Sequence, residues 1–584
     1  MDEALVKKGS SEKFSDSKAP SITIKKLTFS DGAVISLNAD DIVVFVGPNN
    51  AGKSAALREI EYQIGQSAVP TQVVTAIEIL RDGTLEEVEK AFEKYSQKLY
   101  PSGQLHYSGS GYQIAATVLA NGWSGKIGPL RNFFVRRLKT ETRIIDSNPA
   151  PSFKVLSEPA TRPIQMMYAD SEIEKRLSKY FKAAFDLDLI VMKAGGSEIP
   201  LLVGERLPLL TGEDPTTRSY LERLMKSAVS LHEQGDGMRS FASVVLEMLA
   251  SKAPSMLLLD EPEAFLHPPQ ARLLGEFLAR ERRTNAQMFI ATHSPDVLLG
   301  LLNVAPQQLR VIRIQRTGNK NRIKELEKEK AKEISADPLM KYSQVLSGVF
   351  HRRAIICEAD ADCLFYQALL SQKTVHDGPH PDVLFLHASG KHRMATMAGA
   401  LRALGVPVDV IADIDLLSEQ DSFRKLVEVM SGDWNAIESD WKGVKSAIEN
   451  RKPWMNADAV KGEIQNVFEK LDGHAEFPQT AIAAIKSTLK KSSPWGALKE
   501  AGDAAIPGGQ PSQQMQRIRG HLEAIGIWIV PVGELEGFCK AIGGHGPKWV
   551  QGVIEERDLA VAADLEEARK FMRSIWGRHP ANLT

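Results

Sequence analysis

Short apolar runs alternate with amphipathic segments along most of the 584 residues. Three runs have the hydrophobicity of strands that are buried on both faces: DIVVFV (41–46), MLLL (256–259) and QMFIA (287–291). The segment LRVIRIQR (309–316) is a further strand pattern. Other segments, such as SAALREIEYQI (54–64) and DSEIEKRLSKYFKAAF (170–185), carry apolar residues at helical spacing. Strands that alternate with helices predict an α/β fold built on parallel sheets.

A second set of strands begins at Arg353. The runs RAIIC, PDVLFLH and VPVDVIA are apolar, and each is followed by a turn and a helical pattern. A mostly helical stretch extends from Leu416 to about Ile525, and GIWIVPV then returns as a strand. We therefore expect a second α/β unit with a helical insert before its last strand.

Composition narrows the class of protein. Hydrophobic residues are 43% and charged residues 25%, the balance of a soluble globular protein. The net charge is −1, so a nucleic-acid surface would have to be a local basic patch. Cys357, Cys363 and Cys539 show no metal-ligand spacing and no disulfide framework, which suits a reducing cytoplasm. No apolar run reaches the length of a membrane span, so we expect a cytoplasmic protein without a membrane partner.

The segment GPNNAGKS, Gly47–Ser54, lies between a strand pattern and a helix pattern. It matches the phosphate-binding loop G-x-x-x-x-G-K-[ST] at every fixed position. The backbone N–H groups of such a loop surround phosphate oxygens, and the helix N-terminus adds its positive dipole end. Lys53 would reach the β- and γ-phosphates, and Ser54 would supply a hydroxyl ligand to Mg²⁺. We expect the chain to bind a nucleotide.

Further candidates follow two buried strands. Asp260 and Glu261 follow the run 256–259, where one carboxylate can hold Mg²⁺ and the next can polarise an attacking water. His293 follows the run 287–291. Upstream, the glycine-rich segment 234–240 opens a helix pattern, a natural anion-binding N-terminus. Taken singly, the acidic pair also fits a solvated strand end, and His293 fits a structural histidine.

Taken together and in this order, these motifs resemble the ATP-binding-cassette (ABC) ATPases of the recombination and SMC-like branch, over residues 21–316. The resemblance implies ATP with one Mg²⁺, Asp260 as the Walker B residue, Glu261 as the catalytic carboxylate and His293 as the switch histidine. The implied ATP-binding residues are Asn49, Asn50, Gly52, Lys53, Ser54, Asp260, His293, Gly235 and Gly237.

The signature departs from that family, because Gly235-Asp236-Gly237-Met238 stands where Ser-Gly-Gly-Gln is usual. The missing serine hydroxyl disfavours fast ATP hydrolysis. In this family the signature of one subunit completes the ATP site of another. The resemblance therefore implies a homodimer or higher homo-oligomer through the ATPase domains.

Acidic residues also follow the strands of the second unit. Glu358 follows RAIIC, with Asp362 one helical turn further on, and Asp413 and Asp415 follow VPVDVIA. A doubly wound sheet places its site at these carboxyl ends. Carboxylates gathered there stay ionised only if a cation neutralises them, and oxygen ligands select Mg²⁺ or Mn²⁺. Solvated strand ends of an ordinary flavodoxin-like domain are the alternative.

The ordered set E-x-x-x-D, Ser389-Gly390-Lys391 and D-x-D resembles the Toprim domain of topoisomerases, primases and OLD-family (overcoming lysogenization defect) nucleases. Ala359 stands where a glycine is common. The late segment GELEG, followed by Lys548, is similar to the last motif of the OLD nucleases. Fusion of a compact cassette ATPase to a Toprim domain is the OLD architecture, which includes the Gabija nuclease and retron-associated effectors.

This resemblance implies a DNA endonuclease with two Mg²⁺ or Mn²⁺ ions in the Toprim site. The implied metal ligands are Glu358, Asp362, Asp413, Asp415, Glu534 and Glu536, with Ser54 at the ATP. The implied catalytic residues are Glu358, Asp413, Asp415, Glu536, Lys548 and Glu261. Among them, Lys548 would stabilise the charge of the transition state. By the same resemblance the role is defence against phage, and the partners are DNA and an accessory helicase or a retron reverse transcriptase with its DNA–RNA.

The alternative is an ATP-driven DNA clamp or scaffold of the SMC/RecF-like class with an inactive Toprim domain; the intact acidic set argues against it. A topoisomerase would need a tyrosine domain, and a primase would need a zinc module that three unpatterned cysteines cannot form. Lys486, Lys490 and Lys491 of the insert could touch a DNA backbone or could line a solvated helix.

The predicted organisation has an ABC-type ATPase domain with a helical insert, followed by a Rossmann-like, parallel-sheet Toprim domain with a second helical insert. The expected boundaries are a disordered leader (1–20), the ATPase domain (21–316, with a helical or dimerisation insert at about 60–230), a charged linker (317–350) and the Toprim nuclease domain (351–584, with its insert at about 416–525).

Overall fold

The computed structural model describes residues 19–578, except 66–69, 110–111, 157, 159, 251–254, 284–285, 327–328, 330–335, 337–343, 451–456 and 472–476. The chain divides into two compact units, Met1–Asp337 and Pro338–Thr584. The predicted leader lies almost entirely outside the described residues. Among the residues that are described, no helix is long and apolar enough to cross a membrane.

The first unit contains both helices and short strands. Its strands are β1 Ser21–Phe29, β2 Val34–Ser36, β3 Ile42–Val46, β4 Val74–Asp82, β5 Gln97–Leu99, β6 His106–Gly109, β7 Tyr112–Ala115, β8 Val135–Leu138, β9 Ala150–Pro151, β10 Asp188–Val191, β11 Glu198–Ile199, β12 Leu201–Gly204, β13 Ala228–Ser230, β14 Met256–Asp260, β15 Gln287–Ala291, β16 Leu309–Thr317 and β17 Lys320–Glu325. Its helices are α1 Lys53–Ile64, α2 Leu85–Tyr95, α3 Ala116–Ser124, α4 Arg131–Phe134, α5 Pro163–Ala169, α6 Ser171–Phe185, α7 Arg218–Ser227, α8 Asp236–Ala250, α9 Pro268–Arg280 and α10 Pro295–Val304.

The main sheet of this unit has six strands in the order β17-β16-β3-β15-β14-β8. All neighbouring pairs are parallel except β16 and β17. Every residue of β3 and β15 is buried, as the apolar runs predicted. Because β3, β15 and β14 are parallel, their carboxyl ends bring the phosphate-binding loop, His293 and Asp260 to one edge of the sheet.

Two parts of this unit differ from the sequence prediction. The predicted charged linker begins with β17, which pairs with β16 through a turn at Gly318, where φ is 59°. The residues of β17 are alternately exposed and half-buried. This alternation is expected for a strand at the edge of a sheet that has one face covered by protein and the other in solvent. The insert at 60–230 contains strands β4–β13 beside its helices, and β8, which the sequence did not predict, joins the main sheet.

The second unit is a four-stranded parallel sheet with helices. Its strands are β18 Arg353–Cys357, β19 Val383–His387, β20 Val408–Ala412 and β21 Ile527–Ile529. They lie in the order β19-β18-β20-β21, and all pairs are parallel. Its helices are α11 Asp360–Leu370, α12 Lys391–Ala403, α13 Gln420–Val429, α14 Trp434–Glu449, α15 Ala457–Glu469, α16 Gln479–Ser492, α17 Pro494–Ala501, α18 Gln510–Ile525, α19 Pro547–Glu556 and α20 Glu566–Gly577.

The helical insert, α13–α18, packs on the loop that follows β20. Trp441 is buried and donates from its indole N–H to the Leu417 carbonyl at 2.8 Å. Its ring lies 5.4 Å from that of Trp434, which is also buried. Lys486 is exposed, and the side chains of Lys490 and Lys491 lie outside the described set. The insert is therefore held directly beside the loop of Asp413 and Asp415.

A buried ion-pair network joins the strands of this sheet to the C-terminal helix. Asp409 on β20 is 1% exposed and accepts from Arg353 on β18 at 2.6 Å. It also accepts from the Trp528 indole at 3.0 Å and from Arg578 at 2.9 Å. Arg353 in turn donates to the Ile575 carbonyl at 2.6 Å. The network gives the buried Asp409 carboxylate and the Arg353 guanidinium their hydrogen-bond partners.

We predict that Asp409→Asn lowers the free energy of unfolding of the second unit by about 3–5 kcal/mol, because it leaves the buried guanidinium of Arg353 and the partly buried one of Arg578 without their counter-charge. Urea unfolding followed by tryptophan fluorescence measures this, since every tryptophan except Trp123 lies in the second unit. Asp440→Asn is the control: it breaks the more exposed pair with Arg517, which is worth about 1 kcal/mol or less. Equal effects of the two substitutions would contradict the role of the network.

Candidate functional site

The phosphate-binding loop has the conformation that its motif predicts. Gly47 and Gly52 have φ of 141° and 102°, and a methyl group on Gly47 would lie 2.1 Å from the Ile314 carbonyl oxygen. Asn49 and Asn50 are exposed, and Asn50 is in the left-handed region at φ 61°. Helix α1 begins directly after Gly52. The loop therefore turns tightly against β16 and opens into a helix N-terminus.

The Lys53 side chain lies folded along this loop. It is 4% exposed, and its Nζ donates to the carbonyl oxygens of Gly47 at 2.8 Å and of Pro48 at 2.9 Å. Burial lowers the pKa of Lys53 to about 8, although Glu261, Glu263 and Asp260 oppose that fall. A phosphate would offer this ammonium stronger, charge-assisted hydrogen bonds than the two carbonyls do.

Ser54 and Asp260 are in direct contact, as a shared Mg²⁺ site requires. The Ser54 hydroxyl donates to Asp260 Oδ1 at 2.8 Å. The other carboxylate oxygen of Asp260 lies 3.3 Å from Arg137 Nη2, and Arg137 also pairs with Glu61 of α1 at 3.0 Å. Arg137 is on β8, the strand missing from the sequence prediction. It ties the Asp260 carboxylate to the helix that follows the phosphate-binding loop.

Glu261 and His293 face each other at the strand ends. His293 Nε2 lies 3.3 Å from Glu261 Oε1, and Glu261 has φ of 44°, a strained conformation for this residue. Burial, with Lys53 adding to the effect, lowers the pKa of His293 to about 4. The imidazole is therefore neutral at pH 7 and can accept or donate one hydrogen bond toward the carboxylate.

Glu263 was absent from the sequence prediction and lies half-buried beside this pair. Its Oε1 accepts from the Thr292 hydroxyl and from the His293 backbone N–H, both at 2.8 Å. Burial raises the pKa of this carboxyl. Glu263 thus fixes the backbone that carries His293; the DEPE sequence gives the residue but not its burial.

The glycine signature lies at the start of α8, near the Walker B loop. A methyl group on Gly237 would lie 2.7 Å from the Phe265 carbonyl oxygen, whereas Gly235 has open space around its Cα. Arg143 is 1% exposed and donates to Ser240 on α8 and to the carbonyls of Asp260 and Glu261, at 2.8–2.9 Å. This buried arginine connects the signature helix to the two acidic residues of the ATP site.

The second unit gathers its predicted acidic residues at the carboxyl ends of β18 and β20. Oxygens of Glu358, Asp413 and Asp415 lie within 4.8 Å of one another. Burial raises the pKa of Asp413 to about 8, with Lys499 opposing and Glu358 adding to the rise. Burial also raises the pKa of Glu358. Asp362 accepts from the Ala359 N–H at 2.8 Å, and burial raises its pKa to about 6.

Two lysines enter this carboxylate cluster. Lys499 of α17 lies 2.7 Å from Asp413 Oδ2. Burial alone would lower the pKa of Lys499, but the surrounding carboxylates outweigh this effect and raise the pKa. Lys391, from the Ser-Gly-Lys turn, lies 3.3 Å from Asp415 Oδ2 and 2.9 Å from Glu419. The sequence prediction contained Lys391 as part of a motif but missed Lys499, which lies in the insert among other helix-surface lysines.

A neighbouring group follows β21. Ligand atoms of Glu534, Glu536 and His545 lie within 4.8 Å of one another. Glu536 Oε1 accepts from the Gly546 N–H at 2.6 Å and lies 2.5 Å from His545 Nδ1. Lys548 is exposed on the first turn of α19. His545 was not a predicted site residue, although its spacing from the GELEG motif could have suggested it.

The donor set of the Glu358 cluster suits a divalent cation. Glu358 Oε2 and Asp415 Oδ1 are buried, and within the described residues neither has a hydrogen-bond partner. Buried carboxylate oxygens without partners are costly unless a cation satisfies them. Oxygen-only ligands at such a place match Mg²⁺ or Mn²⁺.

Comparison with known proteins gives one family match in each unit. A family described as "AAA domain, putative AbiEii toxin, Type IV TA system" matches residues 102–299, and one described as "Overcoming lysogenization defect protein-like, TOPRIM domain" matches residues 349–415. The Old nuclease of Escherichia phage P2 is 23% identical over 175 residues, which are 29% of this chain and 29% of the length of that relative.

Solved structures with similarity to the chain include SMC heads. The SMC head bound to the C-terminal winged-helix domain of ScpA has a TM-score of 0.34 at 12% identity, over 53% of this chain and 99% of that one. The SMC head of Pyrococcus furiosus with an extended coiled coil has a TM-score of 0.33 at 12% identity, over 54% and 98%.

Fold and sites together define an α/β protein that joins an ATPase domain to a Toprim domain. The matched segments place an AAA-type ATPase domain before an OLD-like Toprim domain in this chain, and the chain is distantly similar to the phage P2 Old nuclease.

We predict that nucleotide affinity falls as the pH rises through about 8. The Lys53 ammonium attracts phosphate, and because its pKa in the nucleotide-free protein is lowered, this charge is lost near pH 8 instead of above pH 10. The affinity for ATP should fall toward about tenfold per pH unit above that point, as measured by isothermal titration calorimetry. Lys53→Arg is the control, because a guanidinium keeps its proton and its profile should stay flat. A flat wild-type profile would contradict the lowered pKa.

Proposed function

We propose that this protein is a divalent-metal-dependent DNA endonuclease whose Toprim domain is controlled by ATP binding. The observation that carries the proposal is the cluster of Glu358, Asp413 and Asp415 at adjacent parallel strand ends, with two buried oxygens that have no hydrogen-bond partner among the described residues. The OLD-like Toprim match and the similarity to the Old nuclease support the same chemistry.

Glu358, Asp413 and Asp415 would hold a divalent ion, and Glu534 and Glu536 would hold a second one. Such ions, when bound, activate water and stabilise the leaving oxygen of a phosphodiester. The protein keeps these carboxylates in place through its backbone: the Gly390 N–H donates to the Glu358 carbonyl at 3.1 Å. Asp362 fixes the start of α11 through its bond to Ala359 and would take part as an outer ligand.

Lysine side chains would neutralise the negative charge of a bound phosphate. Lys391 already pairs with Asp415 and Glu419, so it orients the Asp415 carboxylate. Lys548 is exposed, which leaves its ammonium accessible to a DNA phosphate, and we retain it as the charge stabiliser.

The ATPase domain would serve as the control element. Lys53, Ser54 and Asp260 would bind ATP with Mg²⁺, which the direct Ser54–Asp260 contact supports. Glu261, 3.3 Å from a neutral His293, would orient a water. The signature at Gly235 and Gly237 would complete the ATP site of a second copy, which makes a homodimer the working assembly. The OLD relationship favours a role in defence against phage.

We predict that the purified protein cleaves or nicks a supercoiled plasmid with Mg²⁺ or Mn²⁺, and that Asp413→Ala lowers the rate by at least about a hundredfold. Even outer-shell partners of metal ligands are worth about 10- to 100-fold. Agarose gel assays with and without ATP measure the rate. Lys53→Ala, run in parallel, shows whether ATP promotes or restrains cleavage.

Asp440→Ala is the matched acidic control, since this carboxylate pairs with Arg517 on the surface of the insert. Its rate should equal that of wild type. A wild-type protein that binds DNA and ATP but leaves plasmid intact in every condition would favour a scaffold over a nuclease. Cleavage that persists in Asp413→Ala would place the nuclease outside this cluster.

A further inference from the structure

The Lys499 ammonium lies among carboxylates of both proposed metal-binding groups. Its Nζ is 2.7 Å from Asp413 Oδ2, 3.7 Å from Asp415 Oδ1 and 3.8 Å from Glu534 Oε2. The side chain is 18% exposed, so the charge is largely withdrawn from water. Three carboxylates from two strand ends thus share one cation that the protein itself supplies.

Close backbone packing fixes the position of this lysine. Gly533, after β21, has φ of 98°, and a methyl group on it would lie 2.1 Å from the Lys499 carbonyl oxygen. At the end of α17, the Asp503 N–H donates to the Pro531 carbonyl at 2.9 Å. Helix α17 is therefore seated directly on the loop that carries Glu534, and the lysine side chain extends from it to Asp413.

A divalent ion and this ammonium compete for the same oxygens. Mg²⁺ needs direct contacts with its ligands at about 2.0–2.1 Å, but Asp413 Oδ2 is engaged by the ammonium. The ammonium must move away before these carboxylates can close around a metal ion.

We propose that Lys499 is the resident cation of the Toprim carboxylates and that a divalent ion binds only by displacing it. Metal loading is then coupled to the position of α17 and, through it, to the helical insert. This inference rests on the proposed function, because it describes how the same site is filled. The helical insert, which carries Lys499 on α17, would thereby regulate metal binding at the Toprim carboxylates.

The test measures Mn²⁺ binding to the full-length, nucleotide-free protein. The electron paramagnetic resonance signal of the free Mn²⁺ ion reports how much of the ion is bound. Lys499→Met should bind Mn²⁺ at least about tenfold more tightly than wild type, a gain of about 1.4 kcal/mol. Lys499→Arg keeps the competing charge and should bind close to the wild-type level. Lys540→Met, which removes an exposed lysine, is the matched control and should also match wild type.

Asp413→Asn is introduced into both the wild-type protein and Lys499→Met. The Mn²⁺ binding that each protein loses on this substitution is the binding that depends on the Asp413 cluster. Asp413-dependent binding that is unchanged or weaker in Lys499→Met overturns the competition while the metal site stands. If no Asp413-dependent Mn²⁺ binding occurs in any variant, the proposed nuclease function fails instead.

A second measurement needs no substitution. Acylation of Lys499 by an amine-reactive reagent, quantified by mass spectrometry in the wild-type protein, should rise on addition of Mn²⁺, because displacement frees the ammonium from its ion pairs. Lys540 is the internal reference. Unchanged Lys499 labelling at saturating Mn²⁺ would overturn the proposal.

Discussion

Carboxylates held together at the end of a buried sheet repel one another, and this repulsion constrains both units of the protein. Parallel strands deliver their acidic ends to one edge, where water is partly excluded. In the first unit, Lys53 lies within the electrostatic reach of Asp260, Glu261 and Glu263. In the second unit, Lys499 lies among Asp413, Asp415 and Glu534. Each acidic edge is thus compensated by a lysine that a helix carries.

Hydrogen bonds and ion pairs from the surrounding structure hold the strands that carry these charged residues in position. Arg143 and Arg137 hold the backbone and carboxylate of Asp260 in the ATPase domain. In the Toprim domain, the Asp409 network binds β18, β20 and β21 to the last helix, away from the carboxylates. The Asp409 network stabilises its sheet without using the carboxylates that would bind metal, whereas Arg137 pairs with Asp260 itself. In the second unit, stability and chemistry are therefore assigned to different residues.

The sequence predicted the features that depend on local patterns. The apolar runs of β3 and β15 are strands because they are buried on both faces, and the spacing of GPNNAGKS alone determines the loop before α1. The order of acidic strand ends likewise predicted the cluster of Glu358, Asp413 and Asp415, because parallel strands share one edge.

The features that the sequence did not predict depend on tertiary contacts. Strand β8 contains two adjacent arginines, and only pairing with β14 and the partners of Arg137 make it a sheet strand. Lys499 resembles any surface lysine of an amphipathic helix until α17 packs on Gly533. Glu263 is acidic yet half-buried, because Thr292 and His293 supply its hydrogen bonds. Periodicity cannot show such long-range partners.

The most direct test of the account is anomalous X-ray diffraction from crystals of the full-length protein soaked with Mn²⁺. We expect an anomalous peak among the oxygens of Glu358, Asp413 and Asp415, with the Lys499 ammonium moved away from Asp413. A peak found only elsewhere, or no peak with Lys499 still paired to Asp413 at saturating Mn²⁺, would contradict the claim that these strand ends form a metal site.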